Sequence, residues 1–359
     1  MTTKSEIKEE KQHDINMNEI LLDYAQNLAK CDLPNIFQDE HQLQNYRSKR
    51  YPGAIKSDSY VVGFPHLHKV GGSSLKSMLR DQAKLAGKDV RSVPHCREFC
   101  TNNNYNAFIE CTGTANYDFY FGMRSKFDIV FPEECKKETM KSGNAVMYGH
   151  ANYAEMEHVV KELNQHEIHY VTMFREPASR YESLFRFTTA RDFAKSFDDS
   201  EEKNIEKLQE KFDEFISGFY KKHEMVYLSQ NAPMELLQKF GKRNFDGIKS
   251  QDWQTTLPSK ELQCGALDTV LQNMLDNYAV IGILERIDDV LEVLRCRFPW
   301  FKEQHVHHKN PTEGFFKEAP LKRREDLLEH ITPIEKVLFE MADRILTADL
   351  ENCRIISNS

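Results

Sequence analysis

The chain has 359 residues, of which 40% are hydrophobic and 29% charged, a globular balance with apolar material for one large or two ordinary domains. Lysine and arginine number 48 against 56 aspartates and glutamates, a net charge of -8. This mild acidity argues against a nucleic-acid coat or a general membrane-surface binder, while leaving room for a local basic pocket. The N-terminal stretch from Met1 to Lys30 has no apolar core of signal-peptide type, and no apolar run in the chain is long enough to span a bilayer. The expectation is a cytoplasmic protein without a membrane or nucleic-acid partner. Under it, the eight cysteines (Cys31, Cys96, Cys100, Cys111, Cys135, Cys264, Cys296 and Cys353) are free thiols. Cys96 and Cys100 lack the second pair that a zinc set requires.

In chain order, a frayed charged start precedes an amphipathic helix over Asn18–Cys31, in which Ile20, Leu21, Tyr24 and Leu28 recur at helical spacing. Gln42–Ser59 is polar, with a turn at Pro52-Gly53. Buried strands are expected at Tyr60–Phe64, Phe127–Phe131, Ala145–Tyr148, Ile168–Phe174 and Tyr278–Leu284. Helices are expected between most of them, at Ser73–Ala86, Tyr153–Asn164 and Ala178–Phe187. A peripheral charged helix covers Asp192–Tyr220, and further helices cover Arg286–Phe298 and Leu321–Leu350. Strands alternating with helices predict an α/β fold with a parallel central sheet flanked by helices. The expected layout is a polar, helical N-terminal extension over 1–58, a main domain over 59–315 with a helical insertion at about 190–225, and a C-terminal helical segment over 316–359.

The most informative stretch, Tyr60–Arg80, reads as strand, short loop, glycine pair, two serines and helix. Gly71 and Gly72 allow backbone N–H groups to approach an anion, with Val70 between them and Lys69. The helix beginning near Ser73 adds its positive end, and Ser73 or Ser74 can cap it. An ordinary nucleotide loop requires G-x-x-x-x-G-K-[ST], whereas here the lysine precedes the glycines. A second anion element follows the strand ending at Phe174. Arg175 stands at its carboxyl end, Pro177 opens a helix, and Ser183 follows eight residues after the arginine. His150 follows a third strand and is a candidate general base, with His66 and His68 as competitors beside the glycine loop. The run of His305, His307 and His308 has Glu303 as its nearest acid and is not read as a metal site.

These motifs resemble those of PAPS-dependent carbohydrate sulfotransferases, where PAPS is 3'-phosphoadenosine-5'-phosphosulfate. The segment H-K-V-G-G-S-S-L is similar to their 5'-phosphosulfate loop, P-K-T-G-S-T-S-L. His68, Val70, Gly72 and Ser73 depart from that form, and Lys69, Gly71, Ser74 and Leu75 match it. Arg175-Glu176-Pro177 with Arg180 and Ser183 is similar to the 3'-phosphate motif R-D-P-x-x-R-x-x-S, with Arg180 expected as a structural ion-pair partner. Gly149-His150 resembles the G-H or N-H element of the uronyl 2-O- and galactose 3-O-sulfotransferases, in the former of which the histidine is the base. Gly282, Glu285, Asp288, Leu291 and Leu294 match a late V-G-x-x-E-x-x-D-x-x-L-x-x-L unit, whose two acids are expected to cap and pack. Lys309 falls in the loop that covers the nucleotide in related enzymes.

The resemblance implies a P-loop NTPase-like sulfotransferase fold. It implies PAPS as co-substrate without a metal, and sulfuryl transfer to an acceptor hydroxyl. With a cytoplasmic location, that acceptor is expected to be a small alcohol, phenol or sterol. The alternatives are a carbohydrate O-sulfotransferase and, from another class, an ATP-dependent P-loop kinase or a non-catalytic nucleotide-binding protein.

Overall fold

The computed structural model describes residues 31, 35–56, 60–65, 69–92, 145–149, 153–154, 156–157, 167–187, 201–220, 231–233, 236, 260–305, 321 and 333–358. A 3-10 turn (Asn35–Phe37) and α1 (Glu40–Arg50) lead to β1 (Tyr60–Pro65), α2 (Gly72–Leu85), β2 (Asp89–Ser92) and β3 (Ala145–Gly149). Then come β4 (Glu167–Phe174), α3 (Pro177–Phe185), α4 (Glu201–Tyr220), α5 (Lys260–Asn277) and β5 (Tyr278–Ile283). A 3-10 turn (Leu284–Arg286), α6 (Ile287–Arg297) and α7 (Pro333–Asn358) complete the described elements.

The fold is α/β. Five strands form one sheet in the order β2-β3-β1-β4-β5, and every pairing is parallel. All six residues of β1 and of β5 are buried, as are the last six of β4. The unbroken apolar runs of β1 and β5, and the run of β4 interrupted only by His169 and Thr172, suit strands covered on both faces, where alternation would leave one face for water. Four of the expected strands thus appear within a residue or two of their expected limits. The expected strand Phe127–Phe131 and nearly all of the expected helix Asn18–Cys31 lie outside the described residues, and the expected helix Tyr153–Asn164 is described only in part.

Three elements were not expected. β2 is only four residues long and polar at three of them, too short to show a period. α1 carries little apolar pattern, because its two buried residues are Leu43 and Arg47. Asp39 starts this helix, its carboxylate accepting from the backbone N–H groups of His41 (2.9 Å) and Gln42 (3.1 Å). α5 precedes β5 and buries Ala266, Leu267, Val270, Leu271, Met274 and Leu275. The N-terminal and C-terminal segments share the core with the sheet: Phe37, Leu43 and Tyr51 join Leu338, Ile345 and Leu346 in one cluster with the strands.

A buried charge network fastens these segments together. Asp349 on α7 accepts from Arg47 Nη2 at 2.6 Å and from Arg297 Nη2 at 2.9 Å, with all three side chains fully buried. Two guanidinium groups share one carboxylate, so backbone carbonyls supply further acceptors. Arg47 donates to the carbonyls of Leu275 (2.7 Å) and Tyr278 (2.9 Å), and Arg297 to that of Tyr51 (2.6 Å).

The expectation of free thiols is corrected for four cysteines. Cys31 is bonded to Cys264 and Cys296 to Cys353, with Cα separations of 5.3 and 5.8 Å. Partners lie 233 and 57 residues apart, so linear spacing gave no sign of them. No helix among the described residues is long and apolar enough to cross a membrane.

The buried network makes a stability prediction. Asp349→Leu strands two buried guanidinium groups and should cost about 3–5 kcal/mol in urea unfolding. Arg354→Ala, which removes an exposed ion pair to Glu292 (2.9 Å), should leave the midpoint nearly unchanged. Comparable small effects from both would show that the network is dispensable.

Candidate active site

Parallel pairing puts the carboxyl ends of β1, β4 and β5 on one rim. β1 and β4 are direct neighbours, in register from Tyr60 opposite Glu167 to Gly63 opposite Tyr170. From β1 the chain passes through α2 to the β2–β3 side, and from β4 it passes toward β5. The two connections diverge at the tips of adjacent strands, the place where open α/β sheets receive ligands.

The loop after β1 has a special backbone. Lys69 has φ of 67°, the only non-glycine residue with positive φ among those described, and Gly71 has φ of 79°. A left-handed lysine costs about 1–2 kcal/mol relative to an ordinary conformation. Gly71 ends the loop and begins α2, its carbonyl accepting from the N–H groups of Ser74 (3.1 Å) and Leu75 (3.2 Å). The expectation that Ser73 or Ser74 caps this helix is corrected: the cap position is Gly71, without a side-chain hydrogen bond, because the turn is made by its left-handed backbone. Both serines lie in the first turn, Ser73 exposed and Ser74 half-buried, while Val70 and Gly72 are buried. The amides and positive end of this 14-residue helix face the loop. A Cβ at Gly71 would stand 2.4 Å from Leu284 Cδ1, so the tip of β5 packs directly on the turn.

The two expected cations meet at this point. Arg175 Nη1 donates to the carbonyl oxygen of Lys69 at 3.2 Å. Burial first, and then the charge of Arg175, hold the Lys69 amine below the usual lysine range. Its ammonium lies 4.4 Å from the ring centroid of Phe187, which is half exposed at the end of α3. Arg175 Nε lies 3.8 Å from Glu285 Oε1, and that same oxygen accepts from the backbone N–H of Glu176 at 3.3 Å. Glu285 was expected to cap or pack its own helix; it reaches across to the tip of β4.

Glu176 caps α3, accepting from the N–H groups of Ala178 (2.9 Å) and Ser179 (2.7 Å), with Pro177 in the first helical position. Arg180 is a structural ion-pair partner, as expected: it is buried and donates to Glu335 on α7 at 3.0 Å. Ser183 sits half-buried two turns along α3, and no hydrogen bond joins it to Arg175 among the described residues. His150, the competing His66 and His68, and Lys309 lie outside the described residues. β3 ends at Gly149, one residue before His150 in the chain.

The structure thus brings together Lys69, the Val70–Ser74 turn and Arg175. It adds Phe187, Leu284 and Glu285, which sequence reasoning did not place in the site. Leu284 and Glu285 directly follow a strand whose carboxyl end was predictable, and that position was the available signal. Phe187 carried no signal, because its place depends on the turn that ends α3. Compared with known proteins, the chain matches no family model, and no curated protein is detectably similar to it.

The backbone at Lys69 can be tested apart from its charge. Lys69→Gly and Lys69→Met both remove the ammonium, but only glycine is free of the left-handed penalty. The glycine variant should be more stable than the methionine variant by about 1 kcal/mol in thermal unfolding. The reverse order would show that the loop is not strained at this residue.

Proposed function

We propose that this chain is a PAPS-dependent sulfotransferase with a P-loop NTPase-like sulfotransferase fold. The observation that carries the reading is the contact between Arg175 and the Lys69 carbonyl. It holds two cations from neighbouring strand tips beside the start of α2, with the carboxylate of Glu285 3.8 Å from Arg175 Nε. A donor with one anionic group at the 5' position and another at the 3' position calls for such a pair.

In this reading Lys69 and the backbone from Val70 through Gly71, Gly72 and Ser73 to Ser74 receive the 5'-phosphosulfate. Arg175 receives the 3'-phosphate, with Ser183 completing its shell, and Lys309 covers the nucleotide. His150 is the base. The acceptor oxygen attacks sulfur in line with the bridging oxygen of the donor. An oxygen–sulfur bond forms as the bond from sulfur to the 5'-phosphate oxygen breaks. The acceptor proton passes to His150, and the charge gained by the departing phosphate meets Lys69. Nothing is oxidised or reduced. An arriving anion also offsets the burial that depresses the Lys69 amine, drawing it back toward the usual lysine range.

One observation bears on the acceptor. A cytoplasmic chain would meet small alcohols, phenols or sterols, but the Cys31–Cys264 and Cys296–Cys353 bonds favour folding in an oxidising compartment. That favours the carbohydrate alternative over the cytoplasmic one. The kinase alternative needs a lysine directly after the last glycine of its loop, whereas here Lys69 precedes the glycines and Lys76 follows them only four residues on.

Thermal unfolding separates the classes. Adenosine 3',5'-bisphosphate (PAP) at about 100 times its Kd should stabilise the protein by about 2.7 kcal/mol, with little response to magnesium and ATP. Arg175→Ala should lose the PAP response. His150→Ala should keep it while losing labelled-sulfate transfer by about 100-fold or more. A larger shift with magnesium and ATP than with PAP would support the kinase class. Transfer tested on glycan and phenol panels then separates the two acceptor classes.

A further inference from the structure

The geometry points to Glu285 as a positioning residue of the donor site, one that orients Arg175 and the turn between β4 and α3. This rests on the donor-site reading above. Three observations combine. First, Glu285 belongs to the 3-10 turn after β5, yet its Oε1 accepts from the N–H of Glu176, fixing the turn that carries Arg175. Second, the same oxygen lies 3.8 Å from Arg175 Nε, while Arg175 Nη1 is held by the Lys69 carbonyl. The guanidinium is therefore hydrogen-bonded at one nitrogen by the tip of β1 and drawn at another, at ion-pair distance only, by the carboxylate after β5. Third, the neighbouring Leu284 packs against Gly71, so the turn bearing Glu285 is seated on the phosphate loop.

A planar guanidinium binds an oxyanion well only when its fork is correctly aimed, and a long arginine side chain loses considerable freedom when it is held. A carboxylate that fixes this orientation before the ligand arrives lowers that cost. The opposing effect is electrostatic. A carboxylate beside a phosphate site repels the phosphate, and if repulsion dominated, its removal would tighten binding. The oxygen's hydrogen bond decides between them: it accepts from the backbone N–H of Glu176 while standing at ion-pair distance from the arginine, so it fixes the turn that carries Arg175, which is the arrangement of a brace.

The test is the affinity of the full chain for PAP and for 5'-AMP, which lacks the 3'-phosphate, measured by calorimetry for wild type, Glu285→Ala and Glu285→Gln. Glu285→Ala should weaken PAP by about tenfold while changing 5'-AMP by less than about twofold. Glu285→Gln, which keeps an oxygen for the Glu176 N–H, should recover most of the loss. Tighter PAP binding in both variants would overturn the proposal in favour of simple repulsion. Equal weakening of PAP and 5'-AMP, or unchanged PAP affinity with only a lower unfolding temperature, would reduce Glu285 to a structural role and overturn it too. A wild-type chain without PAP affinity would sink the donor-site reading itself, an outcome distinct from the other two.

Discussion

Hydrogen bonding between β1 and β4, in one parallel register, is the constraint on which the rim depends. It places Gly63 opposite Tyr170, where the tyrosine ring takes the space a Cβ on Gly63 would need, at 2.9 Å. A slip of one residue would turn every buried side chain of one strand to the opposite face and drive that ring into a filled position. The same register fixes how far each strand extends, and so brings the loop after Pro65 within reach of Arg175. The contact between Arg175 and Lys69 is thus a consequence of sheet pairing rather than of attraction between their side chains, which carry the same charge.

Charge serves two separate purposes in this chain. Deep in the core, Asp349 lies between Arg47 and Arg297, and Glu335 faces Arg180, each group desolvated and held by partners at hydrogen-bonding distance. Such groups specify which segments pack together, and deleting one partner leaves an uncompensated ion. At the rim the balance differs. Arg175 and Glu285 are partly exposed and 3.8 Å apart, so water moderates their attraction and a competing anion can enter the same field.

How much of this was legible in the sequence depended on whether the signal was local. Largely apolar runs marked β1, β3, β4 and β5, the one in β4 despite His169 and Thr172, and the glycine pair marked the turn before α2. Arg180 was expected to pair with an acid, but its partner, Glu335 on α7, lies 155 residues later in the chain and no local pattern marks it. α1 was hidden because its anchor is an arginine, whose burial makes sense only with Asp349 some 300 residues later. The serines after the glycines looked like caps by type, whereas the left-handed turn at Gly71 had already made the helix start without them. The cysteine partners, Phe187 and the reach of Glu285 all depend on contacts between distant segments, and no periodicity encodes those.

α7 joins the two regions. Its first turn holds Glu335 against Arg180, just beyond the tip of β4, and Asp349 lies about 21 Å further along the helix axis. There it meets Arg47, which also grips the carbonyl of Tyr278 at the amino end of β5. This buried charge network therefore sits at the end of the sheet opposite the candidate chemistry. Engineering for thermal tolerance can be confined to that end, where added packing or helix capping leaves the strained, partly hydrated loop untouched, and the usual exchange of activity for robustness need not arise.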